Sequence, residues 1–183
     1  TITVTPGSYT YAGSGQGPVA GDVNRGGSTG AITLSYVGTG GTTYAASATP
    51  PTAAGSYTVT ASVAADATFN AASSSATAFT IDKKAASVTA NAAGKAFGAV
   101  DPALTGTLSG FIAGDNVTAS YSRTAGETVG GSPYTISATL SPAGALVNYT
   151  VTSNTASFTI GSATPTITVT PGSYTYAGSG QGP

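Results

Sequence analysis

The chain contains no cysteine and no histidine. The first absence removes disulfides as a support for a small core, together with thiol nucleophiles and thiolate metal ligands. The second removes the usual general base of hydrolases and the imidazole ligand of zinc sites. Charge is scarce as well: five Lys and Arg stand against six Asp and Glu, 6% of 183 residues, where ordinary globular chains carry roughly 25%. So thin and even a balance offers no basic field to phosphate backbones, which excludes nucleic acid as a partner. No apolar run nears the roughly 20 residues of a membrane span. No secretory leader is present, so the address of an exported parent is expected to lie outside this stretch. Helical periodicity is missing too. Nowhere does an apolar stripe of period 3.6 persist for three turns, which limits helices to single turns at most.

What fills the sequence instead is alternation of period two, with threonine and serine on the outer side. Ile2 and Val4, then Tyr9 and Tyr11, share a face on either side of Pro6-Gly7. Ile32, Leu34 and Tyr36 follow, and Gly38–Gly41 reads as a hairpin connection into a strand from Thr42 to Ser47. Tyr57, Val59, Ala61 and Val63 make the cleanest inward row, and Thr77, Phe79 and Ile81 close the series. The pattern resumes with Val88 and Ala90, a strand from Leu104 to Leu108, and rows at Val117–Tyr121, Tyr134–Leu140, Tyr149–Val151 and Phe158–Ile160. Many short alternating runs separated by Gly and Pro turns predict an all-β fold built of antiparallel, Ig-like sandwiches. The tyrosines in these rows are read as core.

Two internal repetitions set the organisation. TITVTPGSYTYAGSGQGP opens the chain at Thr1 and returns without a mismatch from Thr166 to Pro183. Within that period GSYTVTASV (Gly55–Val63) parallels GSPYTISATL (Gly131–Leu140), and ATAFTI (Ala76–Ile81) parallels TASFTI (Thr155–Ile160). A fixed period decides architecture before any local motif does. The expected domains are therefore 1–82 and 83–165, two diverged copies of one sandwich meeting at Asp82-Lys83-Lys84, with 166–183 the incomplete start of a further copy. Short junctions between such units would restrict bending.

The stretches KAFGAVDPALTGTLSGFIAGDNV (Lys95–Val117), AGETVGGSPYTISA (Ala125–Ala138) and NYTVT (Asn148–Thr152) resemble the MBG-type repeats of the YGX and YDG group. The first unit is similar to a sister repeat of the same arrays. Phe97-Gly98 stands where the group usually carries a tyrosine-glycine pair. The resemblance implies large secreted or surface-anchored bacterial proteins, often adhesin-like, in which the modules stack as stalk at the cell surface. It implies no catalytic residue.

The candidate sites are few. Gly26-Gly27-Ser28-Thr29-Gly30 spells a nucleophile elbow, but the motif needs a histidine and a following helix, and neither is present. Gly13–Gly17 lacks the lysine of a phosphate loop and reads as a turn. Asp22 with Asn24 and Asp115 with Asn116 are weak calcium candidates, since oxygen ligands on loops suit that ion but it needs six to eight of them. No metal, cofactor or catalytic residue is otherwise expected. Lys83, Lys84 and Lys95 are read as solvated turn and junction residues rather than partners in a side-chain amide bond. Asn116 and Asn148 begin glycosylation-type triplets that arise easily by chance in Thr-rich strands.

The leading expectation is a non-enzymatic, extracellular spacer whose partners are neighbouring repeats of its own chain. One alternative is filament assembly by strand exchange through 1–18 and 166–183. Another is an adhesion module that holds a glycan or protein on its tyrosine-bearing loops.

Overall fold

The structure is a computed structural model that describes residues 1–180. The first set of strands is β1 (Thr3–Val4), β2 (Tyr9–Thr10), β3 (Val23–Asn24), β4 (Ile32–Thr39), β5 (Gly55–Val63), β6 (Ala72–Ser73) and β7 (Thr77–Asp82). β1 pairs with β3, while β2-β7-β5-β4 form the main sheet with β6 on the edge of β5. The second set is β8 (Lys84–Ala90), β9 (Ala93–Ala96), β10 (Gly106–Ser109), β11 (Thr118–Arg123), β12 (Tyr134–Ser141), β13 (Tyr149–Asn154) and β14 (Ala156–Gly161). Its sheets run β10-β8-β13 and β11-β12-β14-β9. The one α-helix among the described residues, α1 (Ala143–Leu146), is a single turn. The fold is all-β and sandwich-like.

The two sets share a plan that the registers make explicit. In each, an antiparallel pair carries a parallel strand on its outer member. β5 lies on β7 with Tyr57 opposite Phe79, and β12 lies on β14 with Tyr134 opposite Phe158. β2 runs parallel to β7 with Tyr9 opposite Ile81, as β9 runs parallel to β14 with Lys95 opposite Ile160. One strand further over, Tyr36 faces Val59 and Arg123 faces Ile136.

This correspondence exposes a substitution of chemistry. Tyr9, Tyr36, Tyr57 and Phe79 form an aromatic cluster, with Tyr36 and Tyr9 edge-on to Phe79 at 6.2 and 5.6 Å and Tyr57 stacked on it at 5.5 Å. The second set keeps Tyr134 and Phe158 but places Arg123 and Lys95 at the other two positions. Arg123 lies over Phe158 at 4.6 Å, using the planar, weakly hydrated guanidinium where a tyrosine ring stands in the first set.

The inward rows behave as their alternation predicts. Tyr57, Val59, Ala61 and Val63 are buried on β5, as are Phe79 and Ile81 on β7 and Val88 and Ala90 on β8. The buried hydroxyl of Tyr36 donates to the Pro18 carbonyl at 2.6 Å, so this core phenol leaves no unpaired polar group. Three expectations are corrected. Thr42–Ser47 is not a strand; it meets β4 at an isolated bridge between Tyr36 and Ser47 and through the Gly38 N–H, which donates to the Tyr44 carbonyl at 2.9 Å. The cause is steric: Gly40 and Gly41 turn the chain at φ of 58° and 90°, and the Thr42 carbonyl then crosses so close to Gly38 that a Cβ there would lie 2.2 Å away. The strand read over Leu104–Leu108 is shifted to Gly106–Ser109, because Gly106 brings its backbone against the Tyr121 ring and Leu104 turns into the core. Lys95 is not solvated: its side chain is 7% exposed, on β9.

Over its described residues, Thr166–Gly180, the second copy of the repeated segment differs from the first. Val4 and Tyr11 are buried, yet Val169 and Tyr176 are 67% and 92% exposed, and Ser162–Gly180 carry no strand or helix.

Candidate functional site

Strand pairing stops at Lys83, but side-chain packing does not. One core cluster takes in Tyr11, Tyr57 and Ile81 together with Ala86 and Tyr149, with Phe111, Ile112 and Val151 against it. The residues that carry this continuity come from three chain reversals. Tyr9 points into its own core, and Tyr11 follows β2 past the end of β7, where its N–H donates to the Asp82 carbonyl at 2.9 Å. Asp115 closes a one-turn 3-10 helix (Ala113–Asp115) that ends on Asn116 in the left-handed region at φ 50°. Tyr149 opens β13, which is held parallel to β8 by pairing with Lys84.

Their side chains close a small polar relay. The Tyr11 hydroxyl donates to the Asp115 carboxylate at 2.9 Å, and the Tyr149 hydroxyl donates to the same group. Tyr149 in turn accepts the Ile112 N–H at 2.9 Å. The two rings meet edge-on at 5.4 Å, and Phe111 leans on Tyr149 at 5.0 Å. Beside them the Asn148 side chain accepts the Ala54 N–H at 3.0 Å, a second bond across the boundary. Burial holds the Tyr11 phenol neutral and pushes its pKa up to about 12, with the Asp115 hydrogen bond and charge adding to the effect. Tyr149 is raised by burial first and by Asp115 second. Charge-assisted bonds to a carboxylate are the stronger kind, and here they tie two strand sets rather than one.

A second cluster gathers much of the chain's charge. Lys95 reaches Asp101 at 2.7 Å and also Glu127, while Arg123 holds Asp101 through Nε at 2.6 Å and bonds Glu127. Hydrogen bonds from Arg123 and then Lys95 hold Asp101 down to about 2, and Lys95 is raised first by Asp101 and then by Glu127. An ammonium held so firmly charged is a poor nucleophile. This cluster ties the loop that follows β9, which carries Asp101, to the loop that follows β11, which carries Glu127.

The residues singled out in the sequence fall in scattered places. The Asp22 carboxylate accepts the Val19 N–H at 2.8 Å and Asn24 accepts the Gly26 N–H at 2.9 Å, both within their own turns. Asp115 belongs to the relay, and Asn116 donates to the Gly114 carbonyl at 3.1 Å. Among the described residues no three acidic side chains converge. Ser28 is buried and donates to Asp66 at 2.7 Å. Asp66 also takes the N–H groups of Thr29, Thr68 and Phe69, and the Ser28 bond leads the set that holds its pKa well below the usual carboxylate range. The GGSTG segment is thus a tied loop. Sequence reading missed the joint itself. Its only trace was that Asp115 and Tyr149 sit at turn and strand starts, which carries no information about a partner 104 residues away.

What this geometry defines is a structural β-module with a joint built from side chains. Residues 86–159, running from within β8 to within β14, match the family model for the MBG domain (YGX type). The resemblance read from Lys95–Val117 and Ala125–Ala138 is thereby shown for that stretch, and MBG domains are typical of bacterial surface proteins. No curated protein and no solved structure matches the chain.

Proposed function

We propose that this chain is a spacer segment of a large bacterial surface protein, exposed outside the cell, whose task is to hold modules at a set angle and distance. The observation that supports it most directly is the relay of Tyr11, Asp115 and Tyr149. A linker alone would allow two β-modules to swing, whereas a buried, hydrogen-bonded contact between them converts module length into reach. The polar outer faces, rich in Thr and Ser and poor in charge, suit a segment that must not stick to what it passes. Small-angle scattering of the full chain tests this. The wild type should give one narrow distribution of interatomic distances, and Tyr11→Ala with Asp115→Ala should broaden it toward longer values. A distribution that the double substitution leaves unchanged would remove the rigid-spacer role.

A second reading draws on the bare copy of the repeated segment. Ile167, Val169, Tyr174 and Tyr176 are the same apolar side chains that are buried or half-buried in the first copy, but here they are exposed. In this reading 166–183 of one molecule takes the place of 1–18 in another, which is strand exchange between identical sequences. Light scattering with and without residues 166–183 separates the two readings, since only exchange needs the segment for a rise in mass.

A further inference from the structure

Register relates the two ends of the molecule. The Phe97 N–H donates to the Gly161 carbonyl at 2.8 Å, just as the Tyr11 N–H donates to Asp82, each one residue past the parallel pairing of its strand. Phe97 is therefore the Tyr11 of the second set. Tyr11 is 6% exposed and Phe97 is 54%. The difference lies in what covers them. Asp115 and Tyr149 lie on Tyr11, and a Cβ on the nearby Gly13 would stand 3.3 Å from Ile112; a Cβ on Gly98, next to Phe97, would meet nothing within 4 Å. Val100, 91% exposed, continues the apolar surface.

The face that receives Tyr11 has its own counterpart at the opposite end. That face is built from Phe111–Asp115, directly after Gly110, and from Asn148–Tyr149. The Asn91 N–H bonds the Thr105 carbonyl as the Thr5 N–H bonds Asp22, which places Gly110 on Gly27; both have positive φ, 80° and 93°. Ser28 and Thr29 thus take the places of Phe111 and Ile112. Phe69 and Asn70 stand as far ahead of Phe79 as Asn148 and Tyr149 stand ahead of Phe158. Both correspondences lead to one hollow of about 110 Å³, lined by Ile2, Arg25, Gly26, Ser28, Phe69 and Asn70. Phe69 is 43% exposed at its rim, and Arg25, whose guanidinium donates to the Gly30 carbonyl at 2.9 Å, lines its wall.

We propose that Phe97 of one copy of this chain seats in the hollow of a second copy, repeating between molecules the contact that Tyr11 makes within one. Knob and hollow lie on different surfaces, so the contact is heterologous and extends head to tail without closing. Phe97 has no hydroxyl, and Asp66 near the hollow is already engaged by Ser28, Thr29, Thr68 and Phe69. The contact is consequently apolar and weaker than the internal joint. It does not rest on the spacer reading, because it follows from the register, the exposure of Phe97 and the hollow around Phe69.

Sedimentation equilibrium of the full chain from micromolar to millimolar concentration is the test. The wild-type mass should climb above 17.4 kDa, and Phe97→Asp and Phe69→Asp should each hold it at that value. Mixed in equal amounts, the two variants should form one-to-one complexes and nothing larger, because one retains the hollow and the other the knob; recovery in the mixture also shows that both fold. A wild type that stays monomeric, or a mixture that does, overturns the proposal. So does association that persists unchanged in both variants, which would assign it to the duplicated segment.

Discussion

The Tyr11 hydroxyl and the Asp115 carboxylate are 104 residues apart in the chain and 2.9 Å apart in space. Neither belongs to a strand, and each lies where its own unit runs out of sheet. The bond between them joins what the backbone leaves separate, since among the described residues no sheet contains strands from both sides of Lys83.

Removing the Tyr11 hydroxyl should therefore weaken the joint more than either unit. Tyr11→Phe keeps the ring against Tyr149 but leaves Asp115 one donor short, at a cost of about 1.5–3 kcal/mol for a bond to a charged group. Urea denaturation of the full chain measures this. A midpoint unchanged from wild type would mean that water replaces the phenol without loss.

High pH should act on the same place. The Tyr11 pKa is raised to about 12 in the folded chain, above the ordinary value of 10.0. Its contribution is fully present below the ordinary value and is lost as pH rises through the folded one, because the unfolded chain then releases the proton more readily. Thermal midpoints should fall between pH 10 and pH 12, and Tyr11→Phe should flatten part of that fall. Tyrosinate absorbance, followed alongside, should show a late-titrating class that the variant loses.

Arg123 substitutes for a tyrosine, so a tyrosine should substitute for Arg123. Arg123→Ala uncovers Phe158 and releases Asp101 and Glu127, and it should lower the melting temperature clearly. Arg123→Tyr should recover much of the loss by restoring the arrangement of Tyr36 over Phe79. If both variants melt alike, the equivalence of the two clusters is wrong.

Acid probes that cluster with the opposite sign. Asp101 is held down to about 2 by Arg123 and then Lys95, so its stabilisation is present above the ordinary carboxylate pKa and disappears as pH falls through the folded value. Asp101→Asn should make the melting temperature less dependent on pH between about 4 and 2, read by circular dichroism.

Two glycines in the first unit should answer differently to one methyl. A Cβ at Gly30 would lie 1.9 Å from the Ala64 carbonyl oxygen, backbone that also pairs with Ala31, whereas nothing lies within 4 Å of one at Gly21. Gly30→Ala should therefore cost several kcal/mol or prevent folding, and Gly21→Ala should stay within about 0.5 kcal/mol of wild type. Paired denaturant curves decide it.

Much of the fold was legible in the sequence, and the reason is local. Tyr57, Val59, Ala61 and Val63 alternate with Thr and Ser, and a strand of period two can bury such a row in one way only. The shared endings at Phe79–Ile81 and Phe158–Ile160 likewise announced a common plan. Thr42–Ser47 was misread because its alternation is as good as its neighbours', while the crowding at Gly38 that keeps it out of the sheet is a contact between backbones. Lys95 was misread because a lysine beside a turn is usually wet, and its two carboxylates come from residues 101 and 127.

The amino-acid sequence by itself determined the strands, their inner faces and the repetition of one segment at both ends. Only the tertiary structure decided that Tyr11 is a joint, that two carboxylates draw Lys95 out of the solvent, and that Phe97, in the same register as Tyr11, stands bare. Alternation assigns a side chain to a face of its own sheet. A residue just past the last rung has no such face, so its burial depends on whatever module, or molecule, comes to rest against it.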